Sequence, residues 1–306
     1  MEDRFAGIRE FVAAVDGGSF TAAAQVLGVT GSAVGKSISR LEARLGVQLL
    51  HRTTRRIDLT TEGEAYLGSC RRVLEELEQS EACLATGHQQ PVGRLRIDLP
   101  TTFGRRHILP ALLALGERHP RLDLSISLRD RAVDMVGEGI DIAVRIGKLG
   151  NHADLVARHL GEQHLVICAS PAYLQRRGTP LTRADLASHA CLAGWRRGNR
   201  PAWLLRNELG ETALQEIHAR HELADGDALL QACVSGSGLA QLPTWLAGEA
   251  LRSGALLPVL PDIAGAAMPI HVLWQKTWHM PPKVRVTVDE LLRLAAADSA
   301  VFAAAA

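Results

Sequence analysis

At 306 residues the chain exceeds one small domain and suits two or three. Its 34 lysines and arginines nearly cancel its 33 aspartates and glutamates, leaving a net charge of +1. Attraction to a polyanion therefore has to come from a local patch, not from the field of the whole molecule. No run of 18 or more apolar residues occurs, which excludes an apolar membrane span, and the start, MEDRFAGIREF, is charged and amphipathic, unlike a secretory signal.

The first elements read as a helix-turn-helix. Ile8, Phe11, Val12 and Val15 lie on one face of a helix. Ser19 is placed to cap a second helix containing Ala22, Ala23, Ala24 and Leu27, and Gly28 to end it in the left-handed conformation. Thr30 caps a third helix whose Val34, Ile38, Leu41 and Leu45 cluster on one side at about 100° per residue. Ser32, Lys36, Ser39 and Arg40 then point the other way, with donors suited to base edges and phosphates. A basic run follows, His51 to Arg56, in the place of a wing. Its Arg52, Thr53, Arg55 and Arg56 are expected on the phosphate backbone of double-stranded DNA. Ala-rich helices and arginine clusters each occur in unrelated folds; their order over so few residues is what points to a winged helix-turn-helix.

From Thr60 to about Thr86, Tyr66, Cys70, Val73, Leu77, Ser80 and Leu84 recur at steps of four and three, with six glutamates between Glu62 and Glu81 over the remaining surface. Such a stripe calls for a partner helix, and a second copy of the chain is the expected one, making Tyr66, Cys70, Val73, Leu77 and Leu84 dimerisation candidates. The alternative is a helix packed on its own domain. Gly87 to Gly93, with Pro91, reads as a hinge.

Beyond the hinge, strand and helix patterns alternate. Strands are expected at Leu95–Leu99, Leu122–Leu128, Ile140–Ile146, Leu165–Ala169, Leu239–Leu242 and Ile270–Trp274. Helices are expected at Phe103–Arg118, from about Asp227 to Ser235, and from about Pro282 to Ala297. Alternation of this kind implies right-handed crossovers and parallel sheets, with ligands at the carboxyl ends of the strands.

The segment from Phe11 to Gly63 resembles the DNA-binding domain of LysR-type transcriptional regulators. It matches them at Gly18-Ser19-Phe20, Ala23-Ala24, Leu27, Ser32, Leu41-Glu42, Leu45-Gly46, Leu49-Leu50, Arg52 and Leu59-Thr60-x-x-Gly63. It departs from them at Gly35, where serine is commonest, and at Thr30-Gly31, where Ser-Gln is common. A helical glycine costs about 1 kcal/mol relative to alanine but lets a backbone approach closely. The remainder resembles the effector-binding half of the same family at Gly139-x-Asp141-x-Ala143-Val144-Arg145, Ser170-Pro171-x-Tyr173-Leu174 and Gly236-x-Gly238-Leu239-x-x-Leu242-Pro243.

The resemblance implies a winged helix-turn-helix at 1–60, a linker helix at 61–87 and a hinge at 88–93. After these it implies two α/β subdomains, periplasmic-binding-protein-like, at 94–160 with 268–300 and at 161–267. A cleft between the subdomains would hold a small-molecule effector. Thr101 and Thr102, with their hydroxyls and free backbone N–H groups, would seat an anion, although simple helix capping explains them equally well. Arg145 would grip a carboxylate in a two-pronged way or serve as a structural partner of Asp141 or Asp130. Phe103, Gly147, Asp225 and Gly226 complete the candidate lining, with Asp227 expected to cap its helix.

Implied partners are double-stranded DNA, a small organic anion, further copies in a homodimer or homotetramer, and RNA polymerase, all in the cytoplasm and none in a membrane. The five cysteines (70, 83, 168, 191 and 233) show no C-x-x-C and no metal-ligand spacing. Free thiols acting as small buried hydrophobes are expected, with no nearby pair to form a redox switch. His218 and His221, three apart, lack a further ligand and read as a solvated strand or loop. Neither a catalytic nor a metal-binding motif is present, and no cofactor is implied. The alternative function is a small-molecule-binding protein or enzyme built on the α/β region, with the first domain as a docking module.

Overall fold

A computed structural model describes residues 5–52, 57–85, 90–131, 133–150, 153–194, 196–197, 200–207, 210–278 and 280–302. The chain forms two compact units, Met1–Gly93 and Arg94–Ala306.

The first unit holds α1 (Ile8–Asp16), α2 (Phe20–Leu27), α3 (Gly31–Leu45), the hairpin β1 (Leu50–Arg52) and β2 (Ile57–Leu59), and α4 (Thr61–Ala85). The expected caps are in place. Ser19 Oγ accepts the Ala22 N–H at 3.1 Å and Thr30 Oγ1 the Ala33 N–H at 3.2 Å, each worth about 1 kcal/mol to its helix. Gly28 takes φ 68° and ends α2. Phe11, Ala14, Ala23, Val34, Ile38 and Leu41 meet in the core. Leu45, expected beside them, is 36% exposed, because α3 ends with it and Gly46 turns the chain away.

Two polar side chains steer the chain from α3 into the hairpin and α4. Buried Glu42 accepts the N–H groups of Leu49 (2.9 Å) and Leu50 (3.2 Å) on one carboxylate oxygen. Thr60 donates its hydroxyl to Gln48 O at 2.7 Å and accepts the Gly63 N–H at 2.9 Å. A Cβ at Gly63 would lie 2.1 Å from Leu49 O, so α4 starts this close to the hairpin only with glycine there.

The acidic helix is a single element, but the first part of its stripe serves its own domain. Cys70 is 2% exposed and Leu67 7%, both in the core of the first unit. The Tyr66 ring lies 6.1 Å from that of Phe11. Tyr66 and Cys70 are therefore packed onto the helix-turn-helix core, where the sequence pattern had suggested a partner helix. Val73 is half-buried, and Leu77 is 47% exposed. The side chain of Leu84 lies outside the described residues, as do positions 87–89 of the expected hinge.

The second unit is built on one long sheet. Its strands are β3 (Gly93–Leu99), β4 (Leu122–Leu128), β5 (Ile142–Ile146), β6 (Leu155–Ala169), β7 (Cys191–Ala193), β11 (Ala219–Glu222), β12 (Leu239–Pro243) and β14 (Ala267–Gln275), in the order β11-β7-β12-β6-β14-β5-β3-β4. A short β13 (Leu257–Pro258) adds to β6. A separate small sheet joins β8 (Arg196–Arg197), β9 (Arg200–Arg206) and β10 (Thr212–Glu216). The helices are α5 (Thr101–Phe103), continued through a wide π-wound turn at Gly104–Ile108 into α6 (Leu109–Arg118), then α7 (Pro171–Arg177), α8 (Gly226–Val234), α9 (Thr244–Arg252), α10 (Pro282–Ala297) and α11 (Ser299–Phe302).

The sheet is mixed, not parallel. β3 runs parallel to β5, and β7 parallel to β11 and β12. β14, however, is antiparallel to both β5 and β6, and β6 is antiparallel to β12. The alternation of strands and helices did not reveal this, because it gives the order of the elements along the chain but not the direction in which their strands pair. β6 pairs with β14 from Leu155 to His164 and with β12 from Leu165 to Cys168. Near that change of partner stands Gly161, where a Cβ would lie 1.8 Å from Phe302 O of α11.

Candidate nucleic-acid interface and ligand cavity

On α3 the buried and open faces divide as the periodicity requires. Val34, Ile38 and Leu41 are buried, whereas Ser32, Lys36 and Arg40 are exposed beside Thr30. Ser39 is different: its hydroxyl donates to Gly35 O at 2.8 Å, one turn back along its own helix. Gly35 does not admit a backbone; the nearest atoms to an added Cβ would be the Phe20 ring carbons, at an ordinary 3.8 Å. Of the wing, the strands pair with Leu50 opposite Leu59 and Arg52 opposite Ile57. Thr53, Arg55, Arg56 and the side chain of Arg52 lie outside the described residues.

In the second unit a cavity of about 770 Å³ opens at the carboxyl ends of the parallel strands β3 and β5, as the sheet rule anticipates. Thr102, Phe103, Arg145, Gly147 and Gly226 line it; Thr101 and Asp225 do not. Phe103 is 2% exposed and edge-on to Trp245 and Phe302, so it is a core residue that reaches the wall. Gly147, at φ 102°, leaves room for the Met268 methyl, which would be 3.2 Å from a Cβ.

The expected anion seat at Thr101 is already filled. Its N–H donates to Asp130 Oδ1 at 3.0 Å. The hydroxyl of Thr102, which is buried, donates to Asp225 Oδ2 at 3.4 Å and accepts the Gly226 N–H at 3.0 Å, joining α5 to the start of α8. Arg105 and Arg106, in the wide turn, both pair with Asp227, and Arg105 also reaches Asp225 at 3.5 Å. The α8 cap is Asp225, which accepts the Ala228 N–H at 2.9 Å; Asp227 is the ion-pair partner instead.

Arg145 has an acid partner, though neither of the two expected. Asp98, 0% exposed, receives Arg145 Nη2 and Arg129 Nε at 2.6 Å each. Arg145 Nη1 also donates to Val144 O at 2.8 Å, and Arg129 Nη1 to Glu138 at 2.6 Å. Glu138 first, and Asp98 with it, hold the Arg129 pKa above its ordinary value. Asp141 instead receives Lys283, at 3.2 Å, and the Arg96 N–H. In the sequence Asp98 alternates with apolar Ile97 and Leu99, and nothing local marks it as buried. Gln163, Trp245 and Met268, also on the cavity wall, carry no local signal either.

Cys70, Cys168, Cys191 and Cys233 are buried and unpaired by disulfides. Burial pushes the Cys191 thiol up to about 11. The neighbouring Cys233 thiol, and burial after it, push Cys168 up as well. Cys168 and Cys233 do sit together in space, on β6 and α8, contrary to the sequence expectation, but the raised Cys168 pKa disfavours the thiolate that nucleophilic or redox chemistry needs. His218 and His221 are exposed, and among the described residues no three His, Cys, Asp or Glu side chains form a metal-binding group. No helix among the described residues is long and apolar enough to cross a membrane.

Family comparison agrees with this geometry. Residues 5–64 match the model of the bacterial regulatory helix-turn-helix protein, lysR family, and residues 88–296 match the LysR substrate binding domain. An HTH-type transcriptional repressor of Pseudomonas aeruginosa is 34% identical, with 95% of this chain and 92% of that protein covered. The HTH-type transcriptional regulator DmlR of Escherichia coli is 36% identical, with 93% and 92% covered. The full-length structure of the Vibrio cholerae virulence activator AphB, a member of the LTTR protein family, superposes with a TM-score of 0.61 at 27% identity, covering 94% of this chain and 98% of that one.

Proposed function

The chain belongs to the LysR family of bacterial helix-turn-helix transcriptional regulators, and on that premise we propose how its parts divide the work. α3 enters the major groove, with Ser32, Lys36 and Arg40 toward bases and phosphates and the basic run at 52–56 along the backbone. The observation that carries this reading is the division of α3 into a fully buried face and an open cationic one.

The cavity at the ends of β3 and β5 takes the small-molecule effector, between an α/β half at 94–160 with 268–300 and another at 161–267. Ligand binding there shifts the balance between the closed arrangement, held by Thr102, Arg105 and Arg106 against Asp225 and Asp227, and a more open one. Two or four copies, paired in part through the exposed section of α4, convert that shift into a change in DNA bending and RNA polymerase contact. The protein is non-catalytic and works in the cytoplasm, where its DNA is.

Retardation of the gene's own upstream DNA tests the reading. Arg55→Ala is expected to weaken binding to all sequences alike and to lower the salt slope by about one unit, whereas Lys36→Ala changes which sequence is preferred. Equal losses on specific and random DNA for both variants would refute the division into reader and wing.

A further inference from the structure

α3 carries its exposed cations on one face and a buried carboxylate on the other. Glu42 is 8% exposed and shares the core-facing side of the helix with Val34, Ile38 and Leu41. A charge placed there costs free energy unless donors meet it. Its Oε1 meets donors from outside its own helix, the N–H groups of Leu49 and Leu50, at 2.9 and 3.2 Å.

These two residues open the wing. Leu50 is the first residue of β1 and pairs with Leu59 of β2. The Leu49 carbonyl accepts the Thr60 N–H at 3.0 Å, just past the end of β2. Both strands are thus held at their base, one by α3 and the other by Thr60 at the head of α4. With three residues in each strand, the hairpin is too short to fix its own direction through ladder bonds. Four residues of strand reach about 13 Å, so a tilt of about 10° at the base carries the far end by roughly 2 Å, enough to break a hydrogen bond to a phosphate.

We propose that Glu42 is a positioning residue for DNA binding, a role that rests on reading α3 and the basic run as the DNA-contacting parts. Its carboxylate sets the angle of the wing against α3 and so governs affinity without touching the DNA. Charge alone predicts the reverse: a carboxylate repels a polyanion, so neutralising Glu42 should tighten binding if only its field mattered.

Two variants separate reach from charge. Glu42→Asp keeps the charge but is one methylene shorter, which draws the oxygen out of reach of at least one of the two N–H groups. Glu42→Gln drops the charge and keeps an accepting oxygen at the same reach. The assay is retardation of the gene's own upstream DNA across a salt series. It uses full-length proteins whose circular dichroism matches wild type at the assay temperature. Glu42→Asp is expected to bind at least about tenfold more weakly, with the salt slope lower by about one unit as wing contacts are lost. Glu42→Gln should stay within about threefold of wild type, with its slope unchanged. Combined with Arg55→Ala, Glu42→Asp should lose less than the product of the two single losses, because one variant removes what the other misplaces.

Wild-type affinity for Glu42→Asp, single losses that multiply fully in the double variant, or a Glu42→Gln affinity changed about tenfold in either direction would each overturn the proposal. The Glu42→Gln comparison stands even if Glu42→Asp does not fold. Arg55→Ala alone separates the two readings. If it leaves affinity and slope unchanged, the wing reading falls and takes the positioning role with it. If it weakens binding while Glu42→Asp does not, only the positioning role falls.

Discussion

Replacing Asp98 by asparagine would leave two guanidinium groups facing each other across a neutral amide at the cavity wall. Asp98 is fully buried, and Arg129 and Arg145, each less than a quarter exposed, contact it at 2.6 Å. Removing one partner from a buried ion pair costs about 3–5 kcal/mol, chiefly because the remaining charge is left uncompensated. For a unit of this size each kcal/mol moves the midpoint by about 2–4 °C, so Asp98→Asn should melt about 6–20 °C below wild type. Arg145→Met in the same chain should return part of that loss, because it removes one of the two stranded cations. Thermal melts monitored by circular dichroism, without ligand, give the comparison directly. A drop below about 3 °C, or a double variant less stable than Asp98→Asn, would refute the view that Arg145 is held chiefly as a partner of Asp98.

Leu77→Glu adds charge to the exposed apolar position on α4 and should shift the protein toward monomer in sedimentation velocity; an unchanged oligomer would mean the stripe packs elsewhere. Gly35→Ala places its methyl at contact distance from the Phe20 ring in mid-helix and should stabilise the first unit by about 1 kcal/mol, seen as a raised midpoint; a lowered midpoint would show that the site needs glycine. Glu290, gripped by Arg293 at 2.6 Å and Arg118 at 2.8 Å, has its pKa pulled down to about 2. Its stabilising contribution is therefore present above the ordinary carboxylate range and disappears as the pH falls from about 4.5 toward 2. The two arginines are solvent-exposed, which limits that contribution to about 1–2 kcal/mol. Melts of wild type and Glu290→Gln should converge across that window, and a constant difference would contradict the assignment.

What the sequence disclosed was local, and what it concealed was long-range. Ser19, Gly28 and Thr30 announce the ends of their helices because capping is settled within three residues, and Pro282–Ala297 shows its length through a regular apolar face. The partnership of Asp98 with Arg129 and Arg145 spans 31 and 47 residues, and that of Arg105 with Asp227 spans 122. No periodicity in one sequence can indicate pairs so far apart. The α4 stripe misled at Tyr66 and Cys70 because a heptad repeat marks an apolar face but not what covers it. β7 and β8, at three and two residues, are too short to show alternation, and in β9 the buried Ala202, Trp203 and Leu205 do not follow a strict period of two.

The long antiparallel strand β6 joins β12 and β14 in the second unit's sheet, so cutting it would open that sheet. A break after Leu160 would cut β6 within its β14 pairing, which runs from Leu155 to His164, beside the point where Phe302 O rests against Gly161. Either fragment would then carry a raw strand end with unmet backbone groups, the kind of edge that recruits other chains. Expressed alone, each fragment is thus prone to aggregate. In the intact protein the same continuity means that heat or denaturant acts on the whole sheet as one cooperative body.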